Sequence, residues 1–186
     1  MASVLFGEVN PSGKLPFTFP VKLEDNSAHS IGEFPGDGKK VAYKEGICVG
    51  YRWADKEKIK PLFAFGHGLS YTTFQYGKIM ADKKEMTETD RITFTVSVKN
   101  TGGKAGAEIV QLYINDINSR LPRPVKELKG FKKVYLQPEE EQVVSFTIGK
   151  EELSYYDDEK HEWVAEPGEF RALIGASSAD IRSSVK

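Results

Sequence analysis

Residues 91–100, RITFTVSVKN, put Ile92, Phe94, Val96 and Val98 at alternate positions, with Thr93, Thr95, Ser97 and Lys99 between them. A period of two places the first set on one face of an extended chain and the second on the other, which predicts a strand with one buried and one wet face. No helix tolerates that pattern, so this decapeptide constrains the fold more than any other stretch. Asn100 to Gly103 (NTGG) end it with turn chemistry.

The next segments repeat the logic. AGAEIVQLYIND sets Val110, Leu112 and Ile114 in phase, but Ile109 and Tyr113 make the other face apolar too, as expected of a central or covered strand. GFKKVYL and QVVSFTIG read as two strands around the proline-started turn QPEEE, with Val144, Phe146 and Ile148 on one face. SYYDDEKHEWVA reads as two short strands across a charged turn, GEFRALIGASS as a strand with Phe170, Ala172 and Ile174 in phase, and GKIMAD as one more before the first. No long amphipathic helix separates them. The expected fold class is all-β: an immunoglobulin-like or fibronectin type III-like antiparallel β-sandwich, with an irregular N-terminal leader.

Upstream of the strands the texture changes. Residues 1–40 are rich in Gly, Pro, Asn and Ser, and VKLEDNSAHSIGEFPGDGKK reads as irregular loop. From Tyr43 to Tyr71 aromatic residues, carboxylates and one histidine crowd together, the residue types of sugar and acid/base sites. Within it Ile47, Val49 and Tyr51 alternate as a strand would, with Gly46 and Gly50 permitting close backbone approach.

Composition removes several functions. The formal net charge is −1, from 26 basic and 27 acidic residues, so no general field attracts nucleic acid or an anionic membrane. No apolar run is long enough for a membrane helix, and the start lacks the basic and apolar regions of a signal peptide. One cysteine, Cys48, and three scattered histidines, His29, His67 and His161, allow no internal disulfide and no recognisable metal site. GDGKK and NTGGKAG lack phosphate-loop spacing, and FKK and RPVK lack the aromatic interleaving of a nucleic-acid surface. No cofactor is expected.

Single residues invite chemistry but read more simply as structure. Glu45 is expected to pair with Arg52 or a backbone amide, and Asp157, Asp158 and Glu159 to form a solvated turn. His67, between two glycines, is expected to fix a turn, Cys48 to pack as a small apolar group, and Tyr155 or Tyr156 to bond its hydroxyl to backbone at a sandwich corner. Tyr51, Trp53, Phe63, Phe65 and Tyr71 are expected to bury against neighbouring domains, although such rings also stack on sugars. No catalytic, cofactor-binding or metal residue is assigned.

Six motifs occur in order along nearly the whole chain: NPSGKLPFTFP (10–20), YKEGICVGYRWAD (43–55), PLFAFGHGLSYTTF (61–74), GAEIVQLYI (106–114), RPVKELKGFKKVYLQP (123–138) and WVAEPGEF (163–170). Together they resemble the C-terminal part of glycoside hydrolase family 3, the β-glucosidase/β-xylosidase family. The chain departs from the family at Pro138-Glu139-Glu140, where Pro-Gly-Glu is usual. The resemblance implies three pieces: residues 1–20 as the tail end of an α/β sandwich domain, 21–70 as a connecting strap, and 71–186 as a fibronectin type III-like domain. It also implies that the nucleophile and the acid/base lie in segments outside this sequence. The expected partners are then the catalytic domains of the same parent chain, periplasmic or extracellular, with weak self-association of the piece alone. Alternative readings are an autonomous carbohydrate-binding module and a fibronectin type III-like interaction domain. The segment from about 71 to 181 is expected to fold on its own.

Overall fold

The computed structural model describes residues 2–32 and 34–186; Met1 of the leader and Glu33 of the loop segment lie outside the described residues. In chain order the elements are α1 (Ala2–Leu5), a 3-10 turn (Leu23–Asp25), α2 (Ser27–Ser30), α3 (Tyr51–Lys56), β1 (Phe74–Tyr76), β2 (Met80–Ala81), β3 (Ile92–Asn100), β4 (Gly106–Asp116), β5 (Glu127–Leu136), β6 (Glu141–Ile148), α4 (Lys150–Leu153), β7 (Tyr155–Asp157), β8 (Glu162–Val164), β9 (Phe170–Ser177) and β10 (Asp180–Val185).

The sandwich is as expected. Two antiparallel sheets face each other: one has β3 flanked by β6 on one side and by β1 and β2 on the other, and the second runs β10-β9-β4-β5. Alternation in β3 becomes burial in strict alternation along Ile92–Asn100. Val98, Val110, Leu112, Leu136 and Ile174 lose all solvent contact, and Val96, Val144, Phe146 and Ile148 complete the contiguous core. Fully burying one such side chain stabilises the fold by roughly 1.5–3 kcal/mol. The YYD and EWV segments pair as the short hairpin β7–β8, with Tyr156 opposite Trp163.

Four features differ from expectation. Strands β1 and β10 add to the sandwich where the sequence offers little alternation. The 21–40 loop contains the 3-10 turn and α2, because the Asn26 side chain accepts the Ala28 N–H at 3.2 Å and caps the short helix. Ile47 and Val49 do not lie in a strand. They are exposed while Cys48 between them is buried, and Gly50, with φ +58, turns the chain directly into α3. Fourth, β5 carries a bulge: Leu112 pairs with Gly130 but Tyr113 with Leu128, leaving Lys129 unpaired.

The departure at Glu139 has a visible consequence. Its φ is +65, the left-handed region that favours glycine. An exposed ion pair from Lys99, 2.7 Å away, accompanies the strained residue.

Candidate docking face

The leader and the aromatic segment form one ribbon laid on the outer face of β4. Leu15 N–H donates to His67 O and Gly66 N–H to Leu15 O, both at 2.8 Å, and Phe19 bridges Phe63 antiparallel. Asn10 ties the ribbon's base: its Nδ2 donates to Ala105 O at 2.9 Å, and its Oδ1 accepts Tyr71 N–H at 2.8 Å. Lys14 pairs with the nearly buried Glu108 at 2.7 Å. Gly66 passes so close to the sheet that a Cβ there would stand 2.5 Å from Gln111 Nε2, and its φ is +81. Only glycine meets both conditions.

Helix α3 is held by three groups on one of its faces. Tyr51 Oη accepts the Leu128 N–H at 3.0 Å, Arg52 pairs with Glu127 at 3.3 Å, and Asp55 meets Lys126 at 2.5 Å. Residues 51, 52 and 55 share a face at helical spacing, and all three partners lie at the start of β5 beside the bulge. Tyr51 also stacks on Phe65, with centroids 5.2 Å apart, and meets Tyr113 edge-on at 5.9 Å. Tyr113 is fully buried and donates to Gln111 Oε1 at 2.5 Å; burial pushes its hydroxyl well above the usual phenol range. The apolar second face of β4 is thus covered by the ribbon.

The candidate residues fall into three fates. Some are structural anchors: Tyr51, Trp53 and Cys48 pack inward, Tyr71 Oη donates to Val4 O at 2.7 Å, and His67 holds the ribbon through its backbone while its ring sits 5.2 Å from that of Phe63. Others turn out differently from the reading. Arg52 pairs with Glu127 rather than Glu45, whose Oε2 is buried without a hydrogen-bond partner. Tyr155 gives its hydroxyl to Glu166 at 2.6 Å, not to backbone. Asp157 is no wet-turn carboxylate: it is fully buried, accepts the Glu159 and Lys160 N–H groups and pairs with Arg120 at 2.5 Å, while Asp158 and Glu159 stay exposed. The third group remains open to solvent.

Carboxylates that come together do so around arginines. Arg123 spans Asp116 (3.3 Å) and Glu127 (2.5 Å), and Arg120 spans Asp157 and Glu166 (3.3 Å). Burial works to raise Asp157, but backbone N–H groups and the guanidinium outweigh it and hold the carboxyl below its usual range. For Glu127 the same contest is won by Arg123, Lys129 and Arg52. Glu166 is lowered by the Tyr155 hydroxyl and Arg120. A general acid for glycoside cleavage needs the opposite shift. The same arginines lie in the connection between β4 and β5 and tie it down.

Among the described residues, sixteen of the twenty-three exposed large apolar side chains belong to residues 1–71, among them Leu5, Phe6, Phe17, Tyr43, Phe63 and Leu69. Phe17, Phe19, Phe63 and His67 form a chain of ring contacts at 4.5, 6.1 and 5.2 Å. Of six buried side-chain polar atoms without a hydrogen-bond partner among the described residues, four lie in the same segment: Thr18 Oγ1, His29 Nδ1, Glu45 Oε2 and Trp53 Nε1. Surplus apolar surface and unmet polar groups on one segment are what an interface exposes when its other half is absent. The sequence signalled the aromatic density but not the unmet polar atoms, which depend on contacts that no local pattern encodes.

Comparison with known proteins matches residues 1–71 to the glycosyl hydrolase family 3 C-terminal domain and residues 108–178 to the fibronectin type III-like domain. The β-glucosidase BoGH3A of Bacteroides ovatus is 56% identical over the whole of this chain, and thermostable β-glucosidase B of Acetivibrio thermocellus is 55% identical over 97% of it. The chain spans about a quarter of the length of these relatives, 25% and 24%. Among solved structures, a β-glucosidase from Kluyveromyces marxianus superposes with a TM-score of 0.89 at 44% identity, covering 99% of this chain and 22% of that one. DesR, a β-glucosidase from Streptomyces venezuelae in complex with D-glucose, gives 0.91 at 39%, covering 99% and 24%.

Proposed function

Since the chain belongs to glycosyl hydrolase family 3, as its C-terminal part with the fibronectin type III-like domain, we propose that it is the accessory structural module of a β-glucosidase-type enzyme. The parent hydrolyses terminal β-D-glucosyl or xylosyl residues, and this module docks on its catalytic part through residues 1–71. In this reading residues 1–20 complete the α/β sandwich domain, 21–70 are the strap, and 71–186 are the fibronectin type III-like domain. The module supplies neither the nucleophile nor the acid/base.

One observation carries the proposal: exposed apolar side chains and unpartnered buried polar atoms concentrate together on residues 1–71. A self-contained binding domain has no reason to leave Glu45 Oε2 and Trp53 Nε1 unmet on the segment that also bares Phe6 and Phe17. The autonomous carbohydrate-binding reading has less support. The exposed Tyr156 and Trp163 rings stand at 71° to each other, so they offer no flat platform for a sugar.

A complementation assay tests the proposal. BoGH3A shortened by the quarter that this chain matches is expected to lose β-glucosidase activity and to regain it when this chain is added. The double substitution Phe17→Ser/Phe63→Ser is expected to abolish the rescue while the chain stays folded. The chain alone is expected to leave aryl β-glucosides and β-xylosides intact. Turnover by the isolated chain that disappears in Glu45→Gln would overturn the reading, as would rescue indifferent to the Phe substitutions.

A further inference from the structure

The two sheets of the sandwich part at one end and leave a cavity of about 540 Å³ between the ends of β3, β4, β6 and β9. No residue of 1–71 lines it, so it is separate from the docking face. Its inner wall is apolar, with Phe94, Ile114, Ile148 and Phe170 from four strands and Leu153 from α4, and Met86 leans in from the 82–90 loop. Walls of this kind shed water. The volume also lies inside the range of ordinary ligand pockets, roughly 300–1,000 Å³.

The mouth has different chemistry. Most of its carboxylates are already engaged: Glu88 by Lys150 at 2.7 Å, Glu169 by Lys186 at 2.8 Å, and Glu166 by Arg120 and Tyr155. Lys83 and Lys84, on the exposed loop beside Met86, are not engaged. Lys84 has no ion-pair partner among the described residues, and Lys83 reaches only the field of Asp90. Lysines and glutamates line the cavity four to four, but Glu85 is the one carboxylate among them without a partner, against the two ammonium groups of Lys83 and Lys84 that form no ion pair among the described residues.

We propose that this cavity binds a fatty carboxylate, its hydrocarbon chain between the two sheets and its carboxylate at Lys83 and Lys84. The chain replaces the missing contacts of Phe94, Ile114 and Ile148, and the head finds the two ammonium groups left over at the rim. The inference is independent of the docking role, since it uses no residue of that face.

The probe is decanoate, kept below its micelle concentration, titrated into the 186-residue chain with isoleucine methyl groups labelled for NMR. Decanol, with the same chain and no charge, is titrated in parallel. Saturable shifts at Ile92, Ile114 and Ile148 are expected with decanoate. The exposed double variant Lys83→Glu/Lys84→Glu is expected to weaken decanoate about tenfold and leave decanol unchanged. Filling the cavity with Ala172→Phe is expected to abolish both; if that variant does not fold, Ala165→Trp at the rim tests the same point. Three results would overturn the proposal: no saturable shift at the three isoleucines, decanoate and decanol equally affected by the lysine reversals, or perturbations confined to residues 1–71. The last would mean that the probe merely coats the docking face.

Discussion

Replacing Asn100 by alanine is expected to be among the costliest polar substitutions in the chain. Asn100 is fully buried at the end of β3. Its Oδ1 accepts the Thr72 hydroxyl at 2.6 Å and the Gly102 N–H at 3.0 Å, and its Nδ2 donates to the carbonyls of Lys104 at 2.8 Å and Leu136 at 3.1 Å. Two donors and two lone pairs are all a side-chain amide has, so every one is used. Asn100→Ala orphans four groups at once. Gly102 is half-exposed and Lys104 exposed, so both regain water at little cost. Thr72 and Leu136 are buried and do not. Each costs about 1–3 kcal/mol when left unmet, which gives a loss of about 4 kcal/mol for the two. For a chain of this length each kcal/mol moves Tm by about 2–4 °C, so a fall of about 8–16 °C is expected by calorimetry. Denaturant titration should show a lower midpoint at unchanged slope. Thr72→Val supplies the internal check. Added to Asn100→Ala it should cost less than it does alone, because the hydroxyl it removes has already lost its acceptor. A loss below about 1 kcal/mol for Asn100→Ala, or strict additivity with Thr72→Val, would refute the argument that this amide ties the end of β3 to the start of the sandwich and to β5.

Three further outcomes are expected. Asp157 and Glu166 are held below their ordinary values, so their contribution to stability is present above the ordinary carboxylate range and is lost as pH falls through it. Arg120→Ala should therefore lower Tm at neutral pH, with the gap to the native chain closing toward roughly pH 3; a pH-independent gap would refute the ion-pair account. Glu139→Gly should raise stability by about 1 kcal/mol by releasing the left-handed backbone, read as a higher denaturant midpoint, and a loss of that size would sink the strain reading. Residues 34–43 hold together mainly through the Asp37 carboxylate, which accepts the Lys39 and Lys40 N–H groups, so their amides should exchange rapidly while β3, β4 and β9 stay protected. Slow exchange there would contradict this.

Legibility followed solvent exposure. In β3, threonine, serine and lysine mark the wet face, so the buried set could be read residue by residue. In β5 the exposed Phe131 and Tyr135 obscure the pattern, and the bulge at Lys129 breaks its register. Strand β10, DIRSSV, carries almost no apolar alternation and is held by pairing with β9. In the aromatic segment the alternation of Ile47, Val49 and Tyr51 did not mean a strand: Ile47 and Val49 are exposed, Cys48 alone is buried between them, and Tyr51 already belongs to α3. Asp157 misled for another reason: a run of carboxylates looks solvated, and only the approach of Arg120, distant in sequence, gives the buried one its partner. The docking face itself was legible as aromatic density, whereas its unmet polar atoms were not.

These observations bear on how independent the sandwich is of the ribbon that precedes it. The core between the sheets contains no residue of 1–71, and by that measure the strands from about residue 71 onward have what they need to fold. The second face of β4 is another matter. Gln111 and Tyr113 are buried there, and much of what covers them comes from Tyr51, Phe65 and Gly66, while Glu108, in phase with Val110, is reached by Lys14. Stripped of the ribbon, that face would present a tyrosine and a glutamine on an open sheet, with Glu108 parted from Lys14 and Lys126 from Asp55. The ribbon is therefore joined to the sandwich by charge, close backbone approach and the rings of Tyr51 and Phe65, while Phe6, Phe17 and Phe63 stay exposed. A segment anchored on one side and bare of cover on the other fits the proposed role of holding two bodies together. The sandwich is one of them, and Phe6, Phe17 and Phe63 face where the other would sit.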